Sequence, residues 1–145
     1  KLTSTLQGSI YAGIDDIYGN CIIKRCDINL HEKKLGIIKN EIVNVSEDII
    51  KEVNIMTYLH KSHKKPKGVL NVYHFLYDNN NMYFIMEHGG LSLYDHCQEY
   101  HKLILNGKLK VKEWIIHVKI LFKQLINIIF WLHNEIKLCH MDISL

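Results

Sequence analysis

The apolar pattern of the chain changes character once, from strand-like in the first part to helical in the remainder. Up to about Glu87, β-branched and aromatic runs such as Cys21–Ile23 and Met82–Met86 are separated by turn-forming residues. Beyond Gly89 and Gly90, apolar residues recur at spacings of three and four. This order predicts an α+β fold in which a small antiparallel sheet precedes a group of helices.

One helix is predicted within the strand-like part, between about Ser46 and His60. Ser46 is the expected N-cap, since two acidic residues follow it in the first turn, where the helix dipole favours them. Apolar residues at spacings of three and four predict one buried face, formed by Ile49, Val53, Met56 and Leu59. The strand-like runs Val69–Tyr77 and Met82–Met86 then predict a hairpin.

Two further helices are predicted, a short one near Leu91–Tyr100 and a long one from about Val111 to His133. The long helix carries a single stripe that we expect to be buried, formed by Trp114, Val118, Leu121, Leu125 and Leu132. No uninterrupted apolar run reaches the roughly 18 residues that a membrane span needs. We therefore expect no membrane partner.

Composition narrows the class of protein. A net charge of +3 is only mildly basic, and no aromatic residue interleaves the lysines of the loop Lys61–Gly68, so we expect a solvated loop and no nucleic-acid partner. The four cysteines are scattered and form no C-x-x-C pair. Reduced thiols in an intracellular, cytoplasmic protein without a metal site are therefore expected.

Five segments of the chain resemble, in order and register, those of a eukaryotic protein kinase domain. They are Gly8–Gly13 with Ile22–Lys24, Glu52–His60, Met82–Gly90, Phe130–Asn134 and Leu138–Leu145. The resemblance implies a partial kinase domain over residues 1–145. It places a small sheet lobe with the family's αC helix at about 1–87, a hinge at 88–90 and the first helices of the helical lobe at 91–145.

The resemblance also implies the roles of individual residues. Lys24 would hold the α- and β-phosphates of ATP, Glu52 would aim that lysine, and Asp142 would accept the proton of the substrate hydroxyl. His140 would pack in the core and brace the catalytic loop. The implied nucleotide contacts are Gly8, Ile10, Ile22, Lys24, Met86, Glu87, Gly89 and Ser92.

The choice of glutamate rests on the segment around it. Glu41 would give a shorter spacing from Lys24, but only Glu52 begins the matching E-V-x-I-M-x-x-L pattern. The spacing from Lys24 to Glu52 is longer than the family usually leaves, which indicates an insertion at about His31–Asn44.

The chain departs from the family pattern at several positions. Thr3 and Thr5 replace the first two loop glycines, and Ile22 replaces the small residue above the adenine, so a reshaped phosphate grip and a lower pocket roof are expected. Met141 replaces an arginine and Ser144 a lysine in the catalytic loop. Similar departures occur in the FIKK kinases of apicomplexan parasites, and a lineage-specific orphan kinase fits equally well.

The expected function is that of an ATP- and Mg²⁺-dependent kinase that phosphorylates serine or threonine on protein substrates. The Mg²⁺ ligands are expected beyond Leu145, so the 145 residues alone are expected to be inactive. The alternative is a pseudokinase or scaffold with weakened nucleotide binding, because Thr3, Thr5 and Ile22 each compromise the nucleotide pocket.

Overall fold

The computed structural model describes residues 1–62 and 64–140 and divides the chain into two compact units. The first unit comprises residues 1–65 and 70–88. The second comprises residues 66–69 and the chain from residue 89 onward. A small antiparallel sheet lies in the first unit and helices follow in the second, so the predicted α+β class is confirmed.

The first unit contains seven described strands. They are β1 (Thr3–Thr5), β2 (Gly8–Asp15), β3 (Gly19–Asp27), β4 (Leu35–Ile38), β5 (Glu41–Asn44), β6 (Val72–Tyr77) and β7 (Asn81–Glu87). Five of them form one antiparallel sheet in the order β1-β2-β3-β7-β6, while β4 and β5 form a separate hairpin. The predicted insertion at about His31–Asn44 therefore contains a sheet of its own.

The core of the first unit lies between this sheet and one helix. The unit has a short helix, α1 (Ile28–Glu32), and a longer one, α2 (Ile49–His60). The buried core residues come from α2 and from strands β3 and β7, and they are Cys26, Ile49, Val53, Met82 and Phe84. Because β3 and β7 pair in register, the strand residues of this core share the sheet face that α2 covers.

The start of α2 differs from the prediction. Asp48, not Ser46, is the N-cap, and its carboxylate accepts a hydrogen bond of 3.0 Å from the backbone N–H of Lys51. That bond lowers the pKa of the Asp48 carboxyl. Both Ser and Asp are good N-caps, so the local sequence favoured neither of them decisively.

We expect Asp48→Ala to lower the free energy of unfolding of the first unit by about 1 kcal/mol, because an N–H of the first turn loses its partner. Asp48→Asn should keep most of the stability, since an amide oxygen can accept the same bond. Ser46→Ala is the matched control and should cost less than about 0.5 kcal/mol. Equal losses for Ser46→Ala and Asp48→Ala in urea denaturation would contradict this assignment of the cap.

The second unit is helical in its described part. Helix α3 (Leu93–Leu105) and helix α4 (Val111–Trp131) are followed by a π-helical turn, Leu132–Ile136. Gly107, at φ +67, reverses the chain after α3, a conformation that glycine adopts without strain. At the start of α4, the Glu113 carboxylate accepts a 2.8 Å hydrogen bond from the backbone N–H of Lys110.

The predicted stripe of α4 is only partly buried. Leu132 is buried, but the other four residues of the stripe are half-buried, and apolar residues on the remaining faces are exposed, namely Ile115, Ile116, Ile120, Phe122, Ile126 and Phe130.

The segment Val111–Ile136 has a mean hydropathy of 1.6 over its most apolar window, of which 11% is buried. By length and composition alone it is apolar enough to cross a membrane. Polar residues interrupt the segment, so the absence of a long uninterrupted apolar run did not reveal its high mean hydropathy. The absence of a membrane partner stays a prediction.

Candidate functional site

The best-defined polar contact in the first unit joins Lys24 to Glu52. Lys24 lies on β3 opposite Phe84 of β7, so its side chain emerges on the sheet face that α2 covers. Its Nζ donates to Oε2 of Glu52 at 2.5 Å, and the two side chains are 23% and 40% exposed. The contact is charge-assisted, because an ammonium group donates to a carboxylate. Glu41 is exposed on the separate hairpin.

The contact between Lys24 and Glu52 is closely surrounded. A cavity of about 10 Å³ beside it is lined by Thr5, Gln7, Lys24, Cys26, Glu47, Ile49 and Glu52. Such a space holds a single water molecule at most. Thr5, at the end of β1, and Gln7, in the turn that follows, therefore share this cavity with the lysine and its glutamate partner.

Four more of the predicted nucleotide contacts share one face of the sheet with Lys24. Ile10 is the register partner of Lys24, and Ile22 pairs with Met86 of β7. Gly8 pairs with Cys26, two positions along the same strands. Because residues two apart on a strand share a face, all five lie on one side of the sheet. Ile22 and Met86 are half-buried neighbours, so this face is bulky and apolar where they meet.

Packing of the backbone requires glycine at position 8, independently of any nucleotide contact. A Cβ atom at this position would lie 1.9 Å from the carbonyl oxygen of Arg25 on β3. This clash is with the backbone, so no change of side-chain rotamer could relieve it. The close approach of β2 to β3 therefore requires glycine here. Sequence reasoning linked this glycine to a phosphate contact alone and missed the packing requirement.

Glu87, predicted to hold the adenine through its backbone, is engaged by Asn71. Its N–H donates to the Asn71 carbonyl oxygen at 2.9 Å, and its carboxylate accepts bonds from Asn71 N and Nδ2 at 2.9 and 2.8 Å. Because the N–H of Glu87 is bonded to Asn71, a backbone contact from Glu87 to an adenine would have to come from its carbonyl oxygen. Nothing in the sequence pattern pointed to Asn71.

The remaining predicted residues lie in the second unit or outside the described chain. Gly89 and Ser92 belong to the second unit, where Ser92 is the N-cap of α3 and its Oγ accepts a 3.1 Å bond from the N–H of Asp95. His140 is exposed, so its predicted packing in the core is wrong. Asp142, with Met141 and Ser144, lies outside the described residues.

Cys26 was not singled out in the sequence, yet it borders the site. It is 3% exposed, and burial raises the pKa of its thiol to about 11. The thiol therefore stays protonated at neutral pH, and its Sγ lies 3.7 Å from both Oε1 of Gln7 and the carbonyl oxygen of Asp27. An S–H group is a weak donor, and here two acceptors lie within its reach.

The raised pKa predicts a loss of stability at alkaline pH. The unfolded chain releases the Cys26 proton near pH 8.5, the folded one only near 11, so the contribution is fully present below pH 8.5 and lost as pH rises towards 11. We expect the free energy of unfolding to fall more steeply over this range in the wild type than in Cys26→Ala. Cys139→Ala, at an exposed cysteine, should keep the wild-type slope. Identical slopes in all three proteins would contradict the prediction.

Among the described residues, no three His, Cys, Asp or Glu side chains are grouped so that they could hold a metal ion. Neither a protein-family model nor a curated protein matches the chain. An assignment of function therefore rests on the residues of the chain itself.

Proposed function

We propose that this chain is part of a protein kinase that transfers the γ-phosphate of ATP to serine or threonine hydroxyls of protein substrates. The observation that carries the proposal is the contact between Lys24 and Glu52. The lysine lies on β3 and the glutamate on α2, a helix that packs on the sheet, which is the arrangement that the family resemblance implies. Lys24 and Glu52 are 28 positions apart in the sequence, so the fold of the first unit, and not local chain geometry, brings them together.

The sheet face supplies groups suited to a nucleotide. The Lys24 ammonium, held by Glu52, would fix the α- and β-phosphates, where a positive charge lowers the energy of the developing negative charge. The apolar side chains of Ile10, Ile22 and Met86 would cover the adenine.

In the proposed reaction, the substrate hydroxyl oxygen bonds to the γ-phosphorus while the bond to the bridging oxygen of ADP breaks. Asp142 would take the hydroxyl proton. Mg²⁺ would neutralise charge on the phosphates, and we assign no ligand for it among the described residues.

The proposal is tested with the full-length protein, [γ-³²P]ATP, Mg²⁺ and a mixture of peptides containing serine, threonine or tyrosine. We expect label on phosphoserine or phosphothreonine after acid hydrolysis. Absence of both phosphate transfer and Mg-ATP binding would overturn the proposal. Label on phosphotyrosine alone would overturn the substrate class only.

A pseudokinase is the second candidate, and one observation favours it. Ile22 and Met86 pair directly across β3 and β7, and two bulky side chains at that point reduce the room for a base. A thermal shift with Mg-ATP, combined with the transfer assay, separates the two candidates, because a tight ligand of the native state raises the unfolding midpoint. Binding without transfer, or neither, would favour the scaffold over the enzyme.

A further inference from the structure

The turn between β1 and β2 contains a buried glutamine. Gln7 is 3% exposed, and each polar group of its side chain has a partner. Its Nε2 donates to the carbonyl oxygens of Leu35 at 3.0 Å and Leu30 at 3.4 Å, and its Oε1 faces the Cys26 thiol at 3.7 Å. A buried amide is stable only when it is bonded in this way, so these contacts fix the side chain in one position.

The acceptors of the Gln7 amide belong to the segment 28–45, which contains α1, β4 and β5. Leu30 lies in α1, a helix so short that its last carbonyl groups lack partners within the helix, and Gln7 supplies one. The neighbouring Leu6 carbonyl oxygen accepts a 2.7 Å bond from the N–H of Ile37 on β4. Three hydrogen bonds therefore connect the turn to this segment.

Packing reinforces the same contact. Gly36 of β4 is buried, and a Cβ atom there would lie 3.0 Å from both Cβ and the carbonyl oxygen of Leu6. The same atom would lie 2.8 Å from a methyl group of Val45. The turn and the segment thus approach each other so closely that only glycine fits without displacement.

We propose that Gln7 is a positioning residue that clamps the β1–β2 turn onto the segment 28–45, so that this segment sets the position of the turn beside Lys24. The inference rests on the proposed function in taking this turn as the cover of the ATP phosphates. Thr3 and Thr5, which replace the first two glycines of the family pattern, lie on β1 directly before the turn. The chain there lacks the freedom of glycine, and the clamp instead holds the turn in a preformed position. Gln7 and Thr5 line the small cavity beside Lys24, so a shift of the turn would change the surroundings of the lysine.

Two substitutions release the clamp from opposite sides. Gln7→Met keeps the length of the side chain and removes both donated hydrogen bonds, which leaves two carbonyl groups without their donor. Gly36→Ala pushes the segment away from Leu6 without altering the turn itself. The matched controls are Gln98→Met, at an exposed glutamine of α3, and Gly13→Ala, whose added Cβ would approach side-chain atoms of Ile23 and Cys21, whereas the Cβ added at Gly36 also meets the backbone of Leu6.

The first measurement is hydrogen exchange of the full-length protein followed by mass spectrometry. In Gln7→Met and in Gly36→Ala, amides of residues 6–8 and of residues 28–38 should exchange at least about tenfold faster than in the wild type. Amides of α4 and both control variants should keep wild-type rates. Unchanged exchange in both variants, or faster exchange in the turn alone, would overturn the clamp.

The second measurement is the dissociation constant of Mg-ATP. Both variants should bind Mg-ATP about five- to tenfold more weakly, whereas the controls should match the wild type. Faster exchange with unchanged Mg-ATP affinity would overturn the positioning role. If the wild type binds no Mg-ATP, the proposed function fails, and the exchange comparison still decides the clamp independently.

Discussion

Lys24→Met in the full-length protein is expected to lower the rate of phosphate transfer by about 100-fold or more. Methionine has nearly the length of lysine but no charge, so the ATP phosphates lose the ammonium group that stabilises their developing charge. The Glu52 carboxylate also loses its partner at 2.5 Å. The rate is measured with [γ-³²P]ATP at saturating and at low ATP, which separates kcat from KM.

Lys51→Met is the matched control. Lys51 lies next to Glu52 in α2 but is exposed, so its replacement should leave the rate within about twofold of the wild type. Glu52→Gln keeps a hydrogen-bond acceptor beside Lys24 and should therefore cost less than Lys24→Met. Full activity of Lys24→Met would contradict the proposed role of the lysine.

The resemblance of the sequence to protein kinases predicted which lysine and glutamate meet. Both residues lie in short patterns with a fixed side-chain direction, Lys24 directly after two isoleucines within β3 and Glu52 one turn into an amphipathic helix. Such patterns are local, so they predict the strand and the helix without knowledge of the fold, whereas the pairing of the two residues is what the resemblance implies. The geometry then follows once the helix packs on the sheet.

The partners that hold the loop and the strand end could not be predicted in the same way. Gln7 acts on the carbonyl groups of Leu30 and Leu35, and Asn71 acts on the backbone and carboxylate of Glu87. Carbonyl groups are present at every position, so a bond to one leaves no mark in the sequence of the acceptor. These contacts become visible only when the chain is folded.

The hairpin of β4 and β5 shows another limit. Its turn places Lys39 and Asn40 at φ 48 and 70, the left-handed conformation that two-residue hairpin turns require. Asparagine tolerates that conformation, but the usual signal is Asn-Gly or Asp-Gly, and neither is present here. The segment was therefore expected only as an insertion, without a sheet of its own.

The burial of the predicted apolar stripe of α4 was overestimated. Its isoleucines and phenylalanines lie on several faces, so a stripe at spacings of three and four can be drawn through them although other apolar residues lie elsewhere. Periodicity predicted the helix correctly. It could not tell which apolar face is covered, because that depends on what packs against the helix.

The largest loss of stability is expected from Phe84→Ala. Phe84 has no exposed surface, and it lies on β7 at the centre of the core that α2 covers. Its removal leaves a cavity in addition to the lost burial, which should cost about 3–5 kcal/mol. Native-state hydrogen exchange of β3 and β7 amides measures this locally.

Phe75→Ala is the matched control, because it removes the same type of side chain from a more exposed position. Phe75 is the register partner of Phe84 on the edge strand β6 but is 36% exposed, so its replacement should cost less than half as much. Because Lys24 pairs with Phe84 on the other side of β7, Phe84→Ala should also weaken Mg-ATP binding, whereas Phe75→Ala should not. Equal losses of stability for the two variants would show that the core is not centred on Phe84.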